Sequence, residues 1–349
     1  MKKVIMWLVM AVFCVQNNVI ADTGAFDIDR WYSLIDSVRI NAESQGISQD
    51  VIKQTLRSPA FIPSIVKSDK NQSEFKLTLQ KYLNRTVSES RIAQGKAMRV
   101  KYPTLLSKVE AKYGIQPHVM LAFWGLESNY GEVKSRHKLI DAFFTLMYDG
   151  RRETFFTKQL MALMQIADKN NLDINDIRGS WAGAMGHFQF IPTTLSQYGA
   201  DGNNDGRIDI INSVSDAMFS AGNYLNKLGW NPNEKIVRRV ILPSNFDLSM
   251  LNGKTKLTLP QWAALGVTNP DGSPIPENQI SAGLVADVAY IESLRSSAQS
   301  ETTKDMDTDV APMPVIEAYL TYPNFYRIKK WNNSNWYAIA IAILADNLK

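Results

Sequence analysis

The sequence is poor in cysteine and histidine. Its 349 residues hold one cysteine and three histidines. The cysteine, Cys14, falls in an N-terminal stretch read below as a leader. The rest of the chain therefore has no disulfide, no thiolate metal site and no cysteine nucleophile. His118, His137 and His187 form no zinc signature. A membrane span needs roughly 20 apolar residues, and the longest candidate, Val4 to Val15, is too short. A long basic run is also missing. The 38 Lys and Arg stand against 34 Asp and Glu, for a net charge of +4. That mild excess argues against a nucleic-acid binder but suits an anionic polymer. No internal repeat is visible. Apolar residues make up 45% of the chain, enough for the core of one or two globular domains.

Lys2-Lys3, the apolar run and then Val19-Ile20-Ala21 have the order of a secretory signal cut near Ala21. Removing Lys2 and Lys3, with no acid among residues 1–21, lowers the net charge from +4 to +2. Phe13 precedes Cys14 where a lipoprotein site wants a small residue, so lipidation is not expected. The expected location is the periplasm.

The first half reads as helical. Trp31, Leu34, Ile35 and Val38 recur at helical spacing. Ser48 is a candidate N-cap for a helix through Leu56, and Ser88 opens another that Pro103 breaks or restarts. Pro117 suits a first helical position, so a helix is expected from Pro117 to about Ser128, with Gly131 as its stop. Further helices are expected over Phe155–Ala167, Val214–Leu228 and Asn335–Leu348. After Gly229 the pattern changes. Ile236–Leu242, Leu284–Tyr290 and Pro314–Leu320 read as strands, and Ser296–Asp309 as a polar mobile loop. The fold class expected is mainly α, with a small β-rich insertion near residues 231–320.

One carboxylate stands out. Glu127 ends the apolar run Val119-Met-Leu-Ala-Phe-Trp124. In the last turn of a helix it meets the negative end of the macrodipole, and apolar neighbours desolvate it. Both effects favour a protonated Glu near neutral pH, as a general acid requires. A plain helix-ending surface Glu is the simpler alternative. A second segment, Gly179-Ser-Trp-Ala-Gly-Ala-Met-Gly-His-Phe-Gln-Phe-Ile-Pro192, is rich in small residues that let backbone approach a ligand. Ser180 and Gln189 offer neutral hydrogen bonds, and Trp181, Phe188 and Phe190 offer flat apolar faces. Together they suit a sugar polymer, although a structural Gly-rich loop has the same composition.

Asp201-Gly-Asn-Asn-Asp-Gly-Arg-Ile-Asp209 is similar to the first nine positions of an EF-hand loop. Asp201, Asn203 and Asp205 take alternating ligand positions, the Arg207 carbonyl is the backbone ligand, and Gly206 makes the sharp turn. The usual twelfth-position Glu is replaced by Asn212, and Asp216 lies further on to close the site. The expected ion is a weakly held, structural Ca²⁺. An Asx-rich turn closed by its own hydrogen bonds is the alternative.

Several motifs in order carry a family resemblance. Glu127-Ser-Asn-Tyr-Gly131, Gly183-Ala-Met-Gly186 with Gln189-Phe-Ile-Pro192, and Trp331-Asn-Asn-Ser-Asn335 resemble the lytic murein transglycosylase B family, both membrane-bound and soluble. Tyr82-Leu with Val87-Ser88 and Arg91, Leu259-Pro-Gln-Trp262 with Leu265-Gly-Val267, and Tyr322-Pro-Asn-Phe325 extend the likeness over nearly the whole mature chain. The resemblance implies a lysozyme-like helical core at 116–230 and 321–349, an N-terminal helical part at 22–115 and a β-rich insertion at 231–320.

It also implies a chemistry. The family cleaves the β-1,4 bond between N-acetylmuramic acid and N-acetylglucosamine in peptidoglycan without water as nucleophile. The muramyl 6-hydroxyl attacks, leaving a 1,6-anhydro end, and one Glu serves first as acid and then as base. Glu127 takes that position. Ser180, Gln189, Phe190, Asn332, Tyr337 and Tyr82 would line the glycan cleft, and a metal in the Asp201 segment occurs in some members. His187 and Phe188 depart from the Tyr and Gly that many relatives carry. A single carboxylate is the main oddity, since most glycosidases use two. Glu132, Asp141 and Asp149 read as solvated, and an intramolecular nucleophile removes the need for a second acid. Peptidoglycan glycan strands are the expected partner of a monomer, with cell-wall synthesis or envelope-spanning machinery beyond them. A hydrolytic muramidase on the same fold and a non-catalytic peptidoglycan-binding scaffold are the rival readings.

Overall fold

The computed structural model describes residues 26–71, 77–133, 135–302 and 315–349, with only backbone for 297–302. The expected leader, with Cys14, lies outside these residues, as does 303–309 of the expected polar loop. Among the described residues no helix is long and apolar enough to cross a membrane.

Caps start the N-terminal helices. α1 (Ile28–Ser44) opens on Asp27, whose side chain accepts from the N–H groups of Asp29 and Arg30. Ser48 caps α2 (Gln49–Leu56) and Ser88 caps α5 (Glu89–Lys101), as the sequence implied. Between them lie α3 (Pro63–Lys70) and α4 (Leu79–Thr86), the latter capped by Thr78. Pro103 restarts the chain as α6 (Pro103–Tyr113).

The core is built on α7 (Pro117–Ser128), which spans the expected residues. Its stop is Asn129, at φ 49°, and not Gly131. Asparagine tolerates the left-handed region better than most residues, so the turn comes two residues early. Residues 119–125 are buried throughout, as befits a helix apolar all round. Around it pack α5, α6, α11 (Val214–Lys227) and α15 (Asn335–Asn347). On the far side, α8 (Leu139–Asp149) lies along α9 (Glu153–Asn170), and α10 (Pro192–Tyr198) lies against α9. α8 has no counterpart in the sequence reading, because residues 142–147 are apolar apart from Thr145 and buried throughout, so they show no period.

Two sheets complete the fold. β1 (His137–Lys138) pairs antiparallel with β2 (Arg178–Gly179) and ties the start of α8 to the Gly-rich loop. β3 (Val237–Leu242), β4 (Leu257–Thr258), β5 (Ser281–Val285) and β6 (Ile316–Thr321) form an antiparallel sheet in the order β3-β6-β5-β4. Its own core holds Val240, Leu284 and Leu320, with α12 (Leu259–Ala264) supplying Trp262, whose Nε1–H donates to the Ala282 carbonyl at 2.9 Å. The strand expected over Leu284–Tyr290 ends at Val285, and α13 (Val288–Thr302) follows. The cause is Asp287, whose side chain accepts from the Tyr290 N–H at 3.2 Å and starts a helix. The beginning of the expected loop, Ser296–Thr302, is therefore helical. α14 (Pro323–Trp331) leads from β6 back to the helical core.

Candidate active site

Glu127 stands half-buried in the last turn of α7. Its Oε1 accepts from Trp331 Nε1–H at 2.9 Å and from the Tyr337 hydroxyl at 2.5 Å. These donors come from more than 200 residues away, yet hang from one short connection. Trp331 ends α14, and Ser334 caps α15 by accepting from the Tyr337 N–H. Tyr337 is buried, and burial followed by the charge of Glu127 pushes its phenol well above the ordinary tyrosine value. It therefore keeps its proton and donates to the carboxylate.

An aromatic wall extends from this carboxylate. Trp331 stacks on Tyr224 at 4.9 Å, and Tyr224 stacks on Tyr198 at 4.4 Å. Burial, then the neighbouring Tyr198, pushes the Tyr224 phenol up to about 12. Phe123 and Phe190 meet the Trp331 ring at 4.9 and 5.3 Å. Trp331, Tyr224 and Tyr198 were not among the site residues expected from sequence. Trp331 heads a quoted motif, but the two tyrosines sit on separate helices with no local signal.

The Gly-rich loop is pinned to α7 on both sides of Glu127. Trp124 Nε1–H donates to His187 Nδ1 at 3.0 Å. The Ser128 hydroxyl donates to the His187 carbonyl at 2.6 Å and accepts from the Gly131 N–H at 2.9 Å. Gly131 is needed for this closeness, since a Cβ there would lie 2.4 Å from the imidazole. Phe188 packs parallel to Trp124 and is 2% exposed, so it offers no open face. Phe190, 3% exposed, stands behind Trp331. Ser180 and Gln189 are half-buried and partly used within the loop. Ser180 Oγ accepts from the Ala184 N–H at 3.0 Å, and Gln189 Nε2–H donates to the Gly186 carbonyl at 2.9 Å. Tyr82 is half-buried on α4, and Asn332 is exposed just after α14. Tyr337, one of the residues chosen from sequence, touches Glu127 directly, and Tyr82 lies close enough to Tyr337 to add to the upward push on its phenol.

His187 gives a pH dependence with a definite sign. Burial lowers its pKa below 6.5, with Asp209 pulling the other way. The unfolded imidazole then binds protons at a pH where the folded one does not. The stabilisation is complete above about 6.5 and is lost as pH falls through the lower folded value. Thermal midpoints are expected to fall on acidification below about pH 6.5. His118, also lowered by burial, contributes in the same direction. His187→Gln should reduce this slope, and an unchanged slope would assign the effect elsewhere.

The EF-hand-like loop presents the expected oxygens. Asp201 Oδ2 accepts from the Gly206 N–H at 2.8 Å, and Asp205 Oδ1 from the Arg207 N–H at 2.9 Å. Asn203 Oδ1 accepts from the Asp205 N–H at 3.0 Å. Asp201, Asn203, Asp205 and the Arg207 carbonyl form an all-oxygen set, which fits a hard cation. Asp216 is 0% exposed, and its two oxygens accept from the N–H groups of Gly202 and Asp209, both at 2.9 Å, so it braces the two ends of the loop. Among the described residues no group of three or more His, Cys, Asp or Glu gathers as a metal cluster. Asp216→Ala strands two backbone donors and should cost about 2–4 kcal/mol in urea unfolding. A loss under 1 kcal/mol, on the order of one ordinary hydrogen bond, would show that the brace is dispensable.

A half-buried Glu held by an indole and a phenol beside an aromatic wall, on a mainly helical core, defines a site built around one carboxylate. The model of the transglycosylase SLT domain matches residues 30–346, and the chain belongs to that family. Membrane-bound lytic murein transglycosylase B of Escherichia coli K12 is 27% identical over 263 residues, which cover 75% of this chain and 64% of that protein. The chain thus matches less than two thirds of that relative's length. SltB3 from Pseudomonas aeruginosa, in complex with NAG-anhNAM-pentapeptide, is 32% identical with a TM-score of 0.79, covering 91% of this chain and 79% of that one. The E. coli lytic transglycosylase Slt35, in complex with calcium, shares the fold at 24% identity and a TM-score of 0.72, covering 91% and 92% of the two chains.

Proposed function

We propose that this protein is a lytic transglycosylase that cleaves the β-1,4 MurNAc–GlcNAc bond of peptidoglycan and leaves 1,6-anhydroMurNAc ends. The observation that carries the reading is the convergence of Trp331 and Tyr337 on one oxygen of Glu127. Oε1 is an acceptor twice over, so the acid proton belongs on Oε2. That proton passes to the glycosidic oxygen as its bond to C1 breaks. The carboxylate then takes the proton of the muramyl 6-hydroxyl, whose oxygen bonds to C1. Glu127 ends as it began, and no water is consumed. Donors at Oε1 favour the ionised form that acts as base, while the helix end and apolar neighbours favour the acid. A group that must serve as both gains from these opposed influences.

Ser180, Gln189, Tyr82 and Asn332 are proposed to line the glycan cleft, and Phe190 to act through Trp331 as a positioning residue. SltB3 in complex with NAG-anhNAM-pentapeptide supports the product. Mass spectrometry of muropeptides released from purified peptidoglycan tests the reading. Products one water lighter than hydrolysed species are expected. Hydrated products would favour the muramidase, and binding without turnover the scaffold.

Secretion to the periplasm through a leader cut near Ala21 is part of the same proposal. So is a structural Ca²⁺ held by Asp201, Asn203, Asp205 and the Arg207 carbonyl, without a part in the chemistry. Calcium at 100 times its Kd should stabilise the fold by about 2.7 kcal/mol. The rise should vanish in Asp205→Ala, and equal midpoints with calcium and with chelator would refute the site.

A further inference from the structure

Directly after α7 the chain turns left-handed twice in a row. Asn129 has φ 49° and Tyr130 has φ 59°. Among the described residues no other two neighbouring non-glycine residues do so. Asparagine tolerates this region, but a bulky aromatic enters it only when its surroundings impose it. Here α5 imposes it. The Tyr130 ring is buried, and its hydroxyl donates to the Arg91 carbonyl at 3.0 Å. Burial pushes this phenol well above the ordinary tyrosine value, against the pull of Arg91, so it keeps its proton and stays a donor. Gly95 of α5 and Gly125 of α7 leave room for it, since a Cβ at these positions would lie 2.3 and 2.7 Å from the hydroxyl. Glycine weakens a helix interior, so two of them facing one phenol mark a fit that both helices serve.

The Arg91 side chain holds the other turn residue. Its Nε–H donates to Asn129 Oδ1 at 3.3 Å, and its guanidinium also donates to the Thr86 carbonyl at the end of α4. Both acceptors are neutral oxygens, and among the described residues Arg91 forms no ion pair. The side chain therefore serves as a clamp between helix ends. Asn129 Nδ2–H donates onward to Glu132 Oε2 at 2.7 Å. This doubly held turn begins two residues after Glu127. It brings the Gly131 N–H to Ser128 Oγ, and Ser128 reaches the Gly-rich loop. A relaxed turn would free the last turn of α7, and Glu127 would lose its fixed place beside Trp331 and Tyr337. Strained backbone persists where the surrounding structure over-determines it, and such residues cluster at functional sites. We propose that Arg91 and Tyr130 are positioning residues for Glu127, acting through the strained turn that they hold. This rests on the functional reading above.

The test uses two conservative variants of the full mature protein. Tyr130→Phe keeps the ring and removes the bond to the Arg91 carbonyl. Arg91→Lys keeps the charge and removes the Nε–H bond to Asn129. Thermal unfolding checks that each folds, and if one does not, the other decides by the same readouts. Each should lose about 10-fold in kcat on purified peptidoglycan, with KM little changed. A second readout needs no turnover. The NMR signal of the Trp331 indole N–H reports its bond to Glu127, and it should shift in both variants. A rise in KM at unchanged kcat would make the two residues substrate contacts and overturn the proposal. So would a lower thermal midpoint with kcat and the indole signal unchanged, the result expected of a merely structural strut. If the wild type cleaved no strand, the functional reading would fail, and the indole signal would decide alone. A shift in the variants would still uphold the positioning, and an unmoved signal would end it.

Discussion

Glu127→Gln is expected to lower peptidoglycan turnover by about 10²–10⁴-fold, the range that one acid–base side chain supplies. The substitution is nearly isosteric, and its amide oxygen can still accept from Trp331 and Tyr337. What it loses is the proton. Because the hydrogen-bond frame survives, thermal stability and affinity for glycan strands should stay close to wild type. Activity within about threefold of wild type, well under the acid–base range, would place the chemistry on another group. A collapse of stability would mean that the charge of Glu127 holds the fold and that the kinetic loss is indirect.

Tyr337→Phe should have the next largest effect. It removes one of two donors from Oε1 and leaves the ring in place against Phe123, whose ring lies 6.2 Å away. A hydrogen bond to a charged group is worth about 1.5–3 kcal/mol, which is roughly 10- to 150-fold in rate. The loss should appear in kcat with KM little changed, since the phenol is buried and touches the acid. A KM effect alone would make Tyr337 a sugar contact, as the family resemblance implied. Trp331 is a poorer first target because its ring also carries the aromatic wall.

Much of this framework could be read locally. Pro117 and the apolar run after it placed α7, and Ser48 and Ser88 placed their helices, because caps act within one turn. Glu127 stood out because an acid closes the stretch opened by the six apolar residues Val119 to Trp124. What gives Glu127 its setting could not be read that way. Its two donors lie 204 and 210 residues on, and no periodicity encodes that meeting. Asp216 shows another side of this: its spacing marks a candidate ligand, while its full burial and the two backbone donors it holds emerge only in the fold. Asp287 was missed because a single cap residue ends the strand pattern and starts α13.

Digestion of peptidoglycan in H₂¹⁸O tests the intramolecular nucleophile most directly. If the muramyl 6-hydroxyl attacks C1, the released muropeptides should be one water lighter than hydrolysed species and carry no ¹⁸O. Reducing ends bearing ¹⁸O would show water as the nucleophile and would contradict the single-carboxylate mechanism proposed for Glu127.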